Sequence, residues 1–473
     1  MPGLRPPMTP PADLPPRRHR TFLLLLASIV TMNFAIQSNS GFYSPAGIAW
    51  YAVTFVLCVL AGVQLPLGPL ERLTAKHATA IGMVVVGGQG LMLILTRQSP
   101  LFYLWPGTPD QLMPFYAVFI GITLLCVNGL MRRPILGRAQ GAAIAAAWAF
   151  VGAWILYSTP NPHIDTYPMA QDASAALLGG HSPYDITFED LYPGSPLAYP
   201  PGYTANGRVL LGYSYPPLTL LMGLPGYMTT GDHRFSAAVA ILGIVVMLYY
   251  LGRGTWGLLA AGVFLTCPRL PCVLESAWTE PYLLLLLTGT VFCAKHWRAG
   301  LPWVFGLFLC SKQHMILFAP AALWLMPRPL SWKQVTVFYA KAFSIGILIT
   351  LPFVLWDFKA FYRSVIQIQL VYHQRLDALS FPSFFAYQGL KMPRFLSLGL
   401  VPVAYAVAWW RVPRTVWGFA LTLSFVLFCT LAFDQAFLNR NFLVMTAMVL
   451  SLAALPREMT PDRPSVEATP AGG

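Results

Sequence analysis

The residues best suited to chemistry lie in one long polar stretch, residues 158–217, which we call the outer loop. It carries five carboxylates against one arginine, together with two histidines and several Tyr-Pro pairs. A positioned carboxylate can act as a general base that takes a proton from a hydroxyl group. Asp165 is our candidate, because it stands between an apolar helical stretch, residues 140–157, and an Ala-rich segment with helical spacing.

Basic residues at polar interruptions of later apolar runs are suited to hold a phosphate group. Lys312 lies in the interruption SKQH, Arg375 lies in RLDALSF, and Arg440 lies in FDQAFLNRN. Ionisable residues at membrane depth cost several kcal/mol, so they usually pair or function. Arginine also binds phosphate through two parallel hydrogen bonds. We therefore expect these three cations to lie on the same side as Asp165. The other polar residues assigned to substrate binding on that side are His163, Tyr167, Tyr215, Glu280, His314 and Gln435.

Each of these candidates also has a purely structural interpretation. Asp165 is a good helix N-cap, and Glu280 suits the positive end of its own helix. Arg375 has a carboxylate partner two residues away in Asp377, and Arg440 fits a charge that flanks a span. Four tyrosines suit an interfacial aromatic belt as well as a platform for a sugar ring: Tyr199, Tyr203, Tyr213 and Tyr215.

The composition indicates the fold class. Hydrophobic residues make up 56% of the 473 residues and charged residues 10%, whereas soluble domains carry about 25% charge. Apolar runs of about 18–20 residues recur along the chain, which is typical of membrane-spanning helices. We predict an all-α, polytopic membrane protein with about 12–14 transmembrane or half-membrane helices and a large outer loop. Within that loop, residues 166–178 should form a surface helix that ends at Gly179-Gly180.

The net charge of +13 reflects membrane topology rather than a nucleic-acid partner. The basic residues occur in small clusters beside apolar runs, as in the cytoplasmic loops of membrane proteins. With the amino terminus inside, the outer loop lies outside and these clusters fall inside; for Lys295–Arg298 this requires that residues 216–251 make one net crossing, which we prefer. The clusters include Arg17–Arg20, Arg132-Arg133, Lys295–Arg298 and Arg411 with Arg414.

The pattern divides the chain into four regions. Residues 1–20 and 456–473 are Pro-rich or polar and should be disordered cytoplasmic tails. Residues 21–138 should form a separable unit of four membrane helices, and residues 139–455 should form the catalytic membrane domain. Two stretches are ambiguous. We prefer one net crossing for 216–251, with 216–229 as a half-helix or surface segment, and two half-helices for 301–326.

The sequence contains no clear motif for binding a metal ion or a cofactor. The seven cysteines lie in or beside apolar stretches without metal-ligand spacing, so packing is the expected role. We assign no metal and no cofactor. The acidic pair Glu189-Asp190 is the alternative, as a place for a divalent cation.

A series of motifs resembles the GT-C superfamily of membrane glycosyltransferases, especially the bacterial polyprenyl-phosphate-sugar-dependent mannosyl- and arabinosyltransferase-like branch. An apolar helix ends in HIDTYPMAQDASAALLGGHSPYD, and a Tyr-Pro-rich loop leads to YSYPPLTLLM. The aspartate of the family pattern Asp-x-x-x-Tyr falls on Asp165, its Ala-Leu-Leu-x-Gly-x-x-Pro-Tyr element falls on Ala176–Gly179 with Pro183-Tyr184, and its Tyr-Pro-Pro-Leu element falls on Tyr215–Leu218. The resemblance covers roughly residues 140–455. The chain departs from it in the four spans that precede the loop and in Asn439-Arg440-Asn441.

The resemblance implies an enzyme that moves a sugar from a polyprenyl phosphate to an acceptor hydroxyl, with inversion. Asp165 would be the general base, and Lys312, Arg375 and Arg440 would hold the donor phosphate. The acceptor would be a cell-envelope glycan, lipid or protein on the outer face of a bacterial plasma membrane. The alternatives are a transporter or lipid flippase and an inactive protein of the same fold. A transporter should keep its ionisable residues near the mid-membrane and show repeat symmetry.

Overall fold

A computed structural model describes residues 16–63, 74–95, 99–104, 112–131, 135–195, 198–252, 254–372, 375–393 and 396–455. The described chain is mostly helical and has very little strand. The helices are α1 Pro16–Ser38, α2 Pro45–Val63, α3 Ala75–Leu95, α4 Leu112–Leu130, α5 Gln140–Ser158, α6 Thr166–Leu178, α7 Pro217–Thr230, α8 Arg234–Gly252, α9 Thr255–Leu265, α10 Leu270–Glu275, α11 Glu280–His296, α12 Leu301–Cys310, α13 Trp332–Trp356, α14 Phe358–Phe361, α15 Ile368–Val371, α16 Phe381–Tyr387, α17 Leu396–Arg411, α18 Val416–Ala432 and α19 Leu438–Ala454.

Seven of the described helices are long and apolar enough to cross a membrane: α1, α2, α3, α4, α5, α8 and α13. Helices α9, α12, α18 and α19 are shorter apolar helices. The predicted fold class is therefore confirmed as an all-α, polytopic membrane protein. We call the end of the bundle that carries the outer loop the site face.

The outer loop contains the predicted helix, and its boundaries match the sequence pattern. Helix α6 covers Thr166–Leu178. Gly180 then adopts φ +76°, which glycine reaches without a Cβ clash, and the amide of His181 donates to the carbonyl of Ala176 at 2.8 Å. The apolar face of α6, with Met169 and Ala173, packs against α7 and strand β1. This face is thus buried within the protein rather than in lipid.

A small sheet in the outer loop was not predicted. Its strands are β1 Phe188–Glu189, β2 Thr204–Ala205 and β3 Arg208–Val209, and they pair antiparallel in the order β1-β3-β2. Each strand has two residues, which is too short for a period-2 pattern to be recognised in a sequence. The side chain of Phe188 and that of Val209 are buried beneath it.

Both ambiguous stretches take the arrangement that we preferred. Helix α7 begins and ends at the site face: Thr219 in its first turn bonds to Tyr213, and the carbonyl of Gly231 just after it accepts from Gln171 of α6. Only α8 then crosses. Between α12 and a 3₁₀ segment, Gln313–Trp324, the backbone of Lys312 is extended and breaks the helix at the site face.

The predicted four-helix unit over residues 21–138 is wrong, because its helices interleave with later ones. Helix α1 packs along α19, α2 packs against α17 and α18, and both α3 and α4 pack on α9. Buried polar contacts join the same parts: Thr266 donates to Gln89 at 2.9 Å, and the thiol of Cys267 donates to Asn33 at 3.3 Å. The hydropathy pattern predicts where a membrane helix begins and ends, but it does not predict which other helices that helix packs against.

The predicted amino-terminal tail is also too long. Helix α1 begins at Pro16 rather than near residue 21, because proline suits the first helical position and the following basic residues are compatible with a helix. Residues 1–15, 456–473 and the pair Arg132-Arg133 lie outside the described residues.

Candidate active site

A polar cavity of about 330 Å³ opens at the site face, beneath the outer loop. Its volume falls within the range of small-molecule sites, about 300–1,000 Å³. Five parts of the chain build its wall: the start of α6, the loop before α7, the break after α12, α15 with the segment that precedes α16, and the segment that precedes α19 with the start of that helix. The sequence candidates among its lining residues are Asp165, Tyr215, Lys312, His314, Arg375, Gln435 and Arg440.

Asp165 lies in this cavity at the amino-terminal end of α6. Its side chain makes no capping hydrogen bond to the helix. Instead, Oδ2 accepts a hydrogen bond from the hydroxyl of Tyr199 at 2.7 Å. Burial raises the pKa of Asp165 from its ordinary value, while the hydrogen bond from Tyr199, the amide of Thr166 and the charge of Arg375 act in the opposite direction. The carboxylate is thus partly buried, held in position by Tyr199, and more basic than an exposed aspartate.

Tyr199 is held as a hydrogen-bond donor toward this carboxylate. Burial and the negative charge of Asp165 raise the pKa of Tyr199 from its ordinary value, so that the phenol keeps its proton. The hydroxyl of Tyr372 donates to the carbonyl of Ala198 at 2.6 Å, beside Tyr199 in the chain. The sequence prediction treated Tyr199 only as part of an aromatic belt or platform and missed this role. No local pattern links residues that lie 34 positions apart.

Lys312 and Glu280 form a buried ion pair at the cavity. The ammonium group donates to Oε1 of Glu280 at 2.8 Å and lies 4.9 Å from the ring centroid of Tyr215. Asn439 donates to the same Oε1 at 3.1 Å, whereas Oε2 of Glu280 is buried without a hydrogen-bond partner among the described residues. Glu280 therefore holds Lys312 in place, and it does more than complement the start of its own helix.

Each of the two arginines pairs with a nearby aspartate and keeps free donors. Arg375 uses Nε and Nη2 to bind Asp377, as the structural interpretation predicted, and its guanidinium carbon lies 4.6 Å from the ring centroid of Phe437. Arg440 uses Nη1 to bind Asp434 and the carbonyl of Gln435. A guanidinium carries five N–H donors. Nη1 of Arg375, and Nε and Nη2 of Arg440, donate to none of the described residues.

His314 and Gln435 also line the cavity. Nε2 of His314 is buried and has no hydrogen-bond partner within the described ranges. A buried polar atom without a partner is costly, and a ligand that offers a hydrogen bond at this point would satisfy it.

Two predicted substrate-binding residues lie elsewhere. Tyr167 follows Thr166 by one residue, a rotation of about 100° around a helix, so that Thr166 lines the cavity and Tyr167 faces away. The ring of Tyr167 instead packs against Arg234, whose guanidinium carbon is 4.7 Å from the ring centroid. The ring of His163 packs edge-on against Tyr192 with centroids 6.0 Å apart. His163 and Tyr167 therefore do not line this cavity, and their assignment to substrate binding stays a prediction.

The acidic pair considered for a divalent cation is not gathered with other ligands. Glu189 lies exposed in β1, and Oδ1 of Asp190 accepts from the amide of Tyr192 at 3.0 Å. Within the part of the chain that the structure describes, no three His, Cys, Asp or Glu side chains are grouped so as to hold a metal ion.

Comparisons of the chain with protein-family models, with curated proteins and with solved structures find no match. The function is therefore inferred from the cavity itself and from the motifs that resemble those of the GT-C superfamily.

Proposed function

We propose that this protein is a membrane glycosyltransferase that moves a sugar from a polyprenyl phosphate to an acceptor hydroxyl, with inversion. One observation carries the proposal: a partly buried carboxylate, Asp165, shares a cavity of small-molecule size with the cations Lys312, Arg375 and Arg440. A base and a set of cations are the groups that a single displacement at a glycosyl phosphate requires.

The reaction balances with these groups alone. The acceptor oxygen attacks the anomeric carbon, the bond between that carbon and the phosphate oxygen breaks, and the polyprenyl phosphate leaves with the electron pair. Asp165 takes the acceptor proton. Its Oδ2 is engaged by Tyr199, and no side-chain donor among the described residues occupies Oδ1. A glycosyl phosphate brings its own leaving group, so the proposed reaction needs no separate acid.

The cations are suited to hold the donor phosphate through hydrogen bonds. Each is already paired with a carboxylate, which limits the excess positive charge of the cavity. The donors that remain on Arg375 and Arg440 can each engage a phosphate oxygen, and such charge-assisted bonds are about twice as strong as neutral ones. Lys312 uses one ammonium hydrogen for Glu280 and retains two.

The distribution of charge favours an outward-facing site, and the resemblance to the bacterial branch implies that the membrane is a bacterial plasma membrane. Among the described residues, every Asp and Glu lies toward the site face, and Lys295, Arg298, Arg411 and Arg414 lie at the opposite end of the bundle. Basic residues are enriched on the cytoplasmic side of membrane proteins. The acceptor would then be a glycan, lipid or protein of the cell envelope.

The position of the charged groups favours transfer over transport. Glu280 begins α11, and Lys312 lies in the break between α12 and the 3₁₀ segment, so the ion pair lies at helix ends on the site face. A transport pathway would place such groups near the mid-membrane with access to both sides.

The test is a transfer assay in vesicles. Purified protein is reconstituted with radiolabelled polyprenyl-phosphate sugars and a membrane extract as acceptor, and the label is followed into product. We expect label to leave the polyprenyl phosphate and appear in a glycan, lipid or protein. Movement of intact labelled donor between the leaflets, without a new product, would instead identify a flippase and contradict the proposal.

A further inference from the structure

Two turns meet at the end of the bundle opposite the cavity. One follows the 3₁₀ segment, residues 325–331, and the other joins α17 to α18, residues 412–415. The indole nitrogen of Trp324 donates to the carbonyl of Val412 at 3.4 Å, and the ring of Trp324 packs edge-on against that of Trp409 with centroids 5.4 Å apart. Trp324 is buried. The two turns are therefore held in a defined position around the Trp409 ring.

Two arginines, one from each turn, lie over this ring. The guanidinium carbon of Arg414 is 3.9 Å from the ring centroid of Trp409, and that of Arg328 is 5.3 Å away. Slight burial of the largely exposed Arg328 side chain and the charge of Arg414 lower the pKa of Arg328 from its ordinary value. The ring attracts each cation, but the two cations repel each other.

Neither arginine has an anionic partner in the described part of the chain. Arg328 and Arg414 form no ion pair with a described carboxylate, and neither donates a hydrogen bond to a described residue. In contrast, Arg234, Arg375 and Arg440 at the site face each bind an aspartate. Two guanidinium groups that contact the same ring and have no anion present several N–H donors in fork geometry, which matches the oxygens of a phosphate.

We propose that Arg328 and Arg414, with the Trp409 ring as their platform, bind the headgroup phosphate of an anionic phospholipid. The surroundings favour a lipid over a free phosphate ion. The side chains of Trp332 and Trp410 beside this cluster are 84% and 87% exposed, and tryptophan is enriched at the membrane-water interface. Basic pockets between membrane helices on the cytoplasmic side are typical sites for anionic headgroups. This site is independent of the proposed transferase activity.

The test uses the full-length protein in detergent and the effect of added lipid on its thermal unfolding midpoint. Three probes are titrated: phosphatidylglycerol, phosphatidylcholine and inorganic phosphate. We expect phosphatidylglycerol to raise the midpoint at a concentration about tenfold below that needed of phosphatidylcholine, and inorganic phosphate to have little effect. Equal responses to the two lipids, or an equal response to inorganic phosphate, would overturn the proposal.

Variants then locate the effect. The double substitution Arg328→Gln and Arg414→Gln should raise the half-saturating concentration of phosphatidylglycerol about tenfold or more, since each basic residue near a membrane surface contributes measurably. Arg298→Gln removes an exposed arginine from another turn at the same end and should leave the concentration nearly unchanged. An equal loss in Arg298→Gln would show a diffuse surface charge and refute the site. If the double variant does not fold, Arg414→Lys keeps the charge but loses the fork, and it should still weaken binding several-fold.

Discussion

Replacing Glu280 with glutamine should destabilise the protein strongly, because Lys312 would remain a buried cation without a carboxylate. The side chains of Glu280 and Lys312 are 1% and 7% exposed, and the charged atoms are 2.8 Å apart. Breaking a buried pair by removing one partner costs about 3–5 kcal/mol. By contrast, the pair of Arg440 and Asp434 is 25% and 45% exposed, and pairs of that kind contribute about 0–1 kcal/mol.

The assay is the free energy of unfolding, measured by titration with a denaturing detergent. We compare Glu280→Gln, Lys312→Met, the double variant and the matched control Asp434→Asn. The double variant should cost less than the sum of the single variants, because it removes both charges together. Equal losses of unfolding free energy in Glu280→Gln and Asp434→Asn would contradict this prediction. So would a double variant whose loss equals the sum of the losses in Glu280→Gln and Lys312→Met, because Glu280 and Lys312 would then not act as a buried ion pair.

Three further predictions concern the outer loop and its orientation. Tyr199→Phe removes a hydrogen bond that lowers the pKa of Asp165, so the pKa of Asp165 should rise in this variant. Because the base acts when deprotonated, the acid limb of the profile of transfer rate against pH should move to higher pH. An acid limb at the same pH as in the unaltered protein would contradict this prediction. Gly212→Ala would place a Cβ against the backbone carbonyl of Tyr184 and should lower the free energy of unfolding by about 1–3 kcal/mol, measured by the same titration; an unchanged value would show that the loop shifts to make room for the added methyl group. A cysteine at Asp185 should react with an impermeant thiol reagent from outside intact cells and one at Arg298 should not; equal labelling of both would refute the orientation.

Much of the fold could be predicted because it depends on local pattern. Apolar runs of the right length identified the membrane helices. The Ala-rich spacing and Gly179-Gly180 identified α6, and the polar interruption at Lys312 identified the break after α12. Each of these features is encoded within a few residues of the chain.

The contacts that complete the cavity could not be predicted, because they join residues far apart in the chain. Glu280 and Lys312 are separated by 32 residues. In the sequence, each of them is an isolated charged residue in an apolar stretch, with no partner nearby in the chain. The helical phase at Thr166 and Tyr167 depends on which face of α6 meets α7, and the composition of that segment does not determine it. The packing of α1 on α19 likewise depends on surface complementarity between spans with similar hydropathy.

The most direct test of the account is the substitution Asp165→Asn in the vesicle transfer assay. Asparagine keeps the size of the side chain and can still accept the hydrogen bond from Tyr199, but it cannot take the acceptor proton. A general base contributes roughly 10²–10⁴-fold, so transfer should fall by about that factor while the protein stays folded. Asp172→Asn, which changes an exposed carboxylate on the same helix, should retain near-normal transfer. Near-normal transfer by Asp165→Asn, with loss in Asp172→Asn, would show that the base is not Asp165.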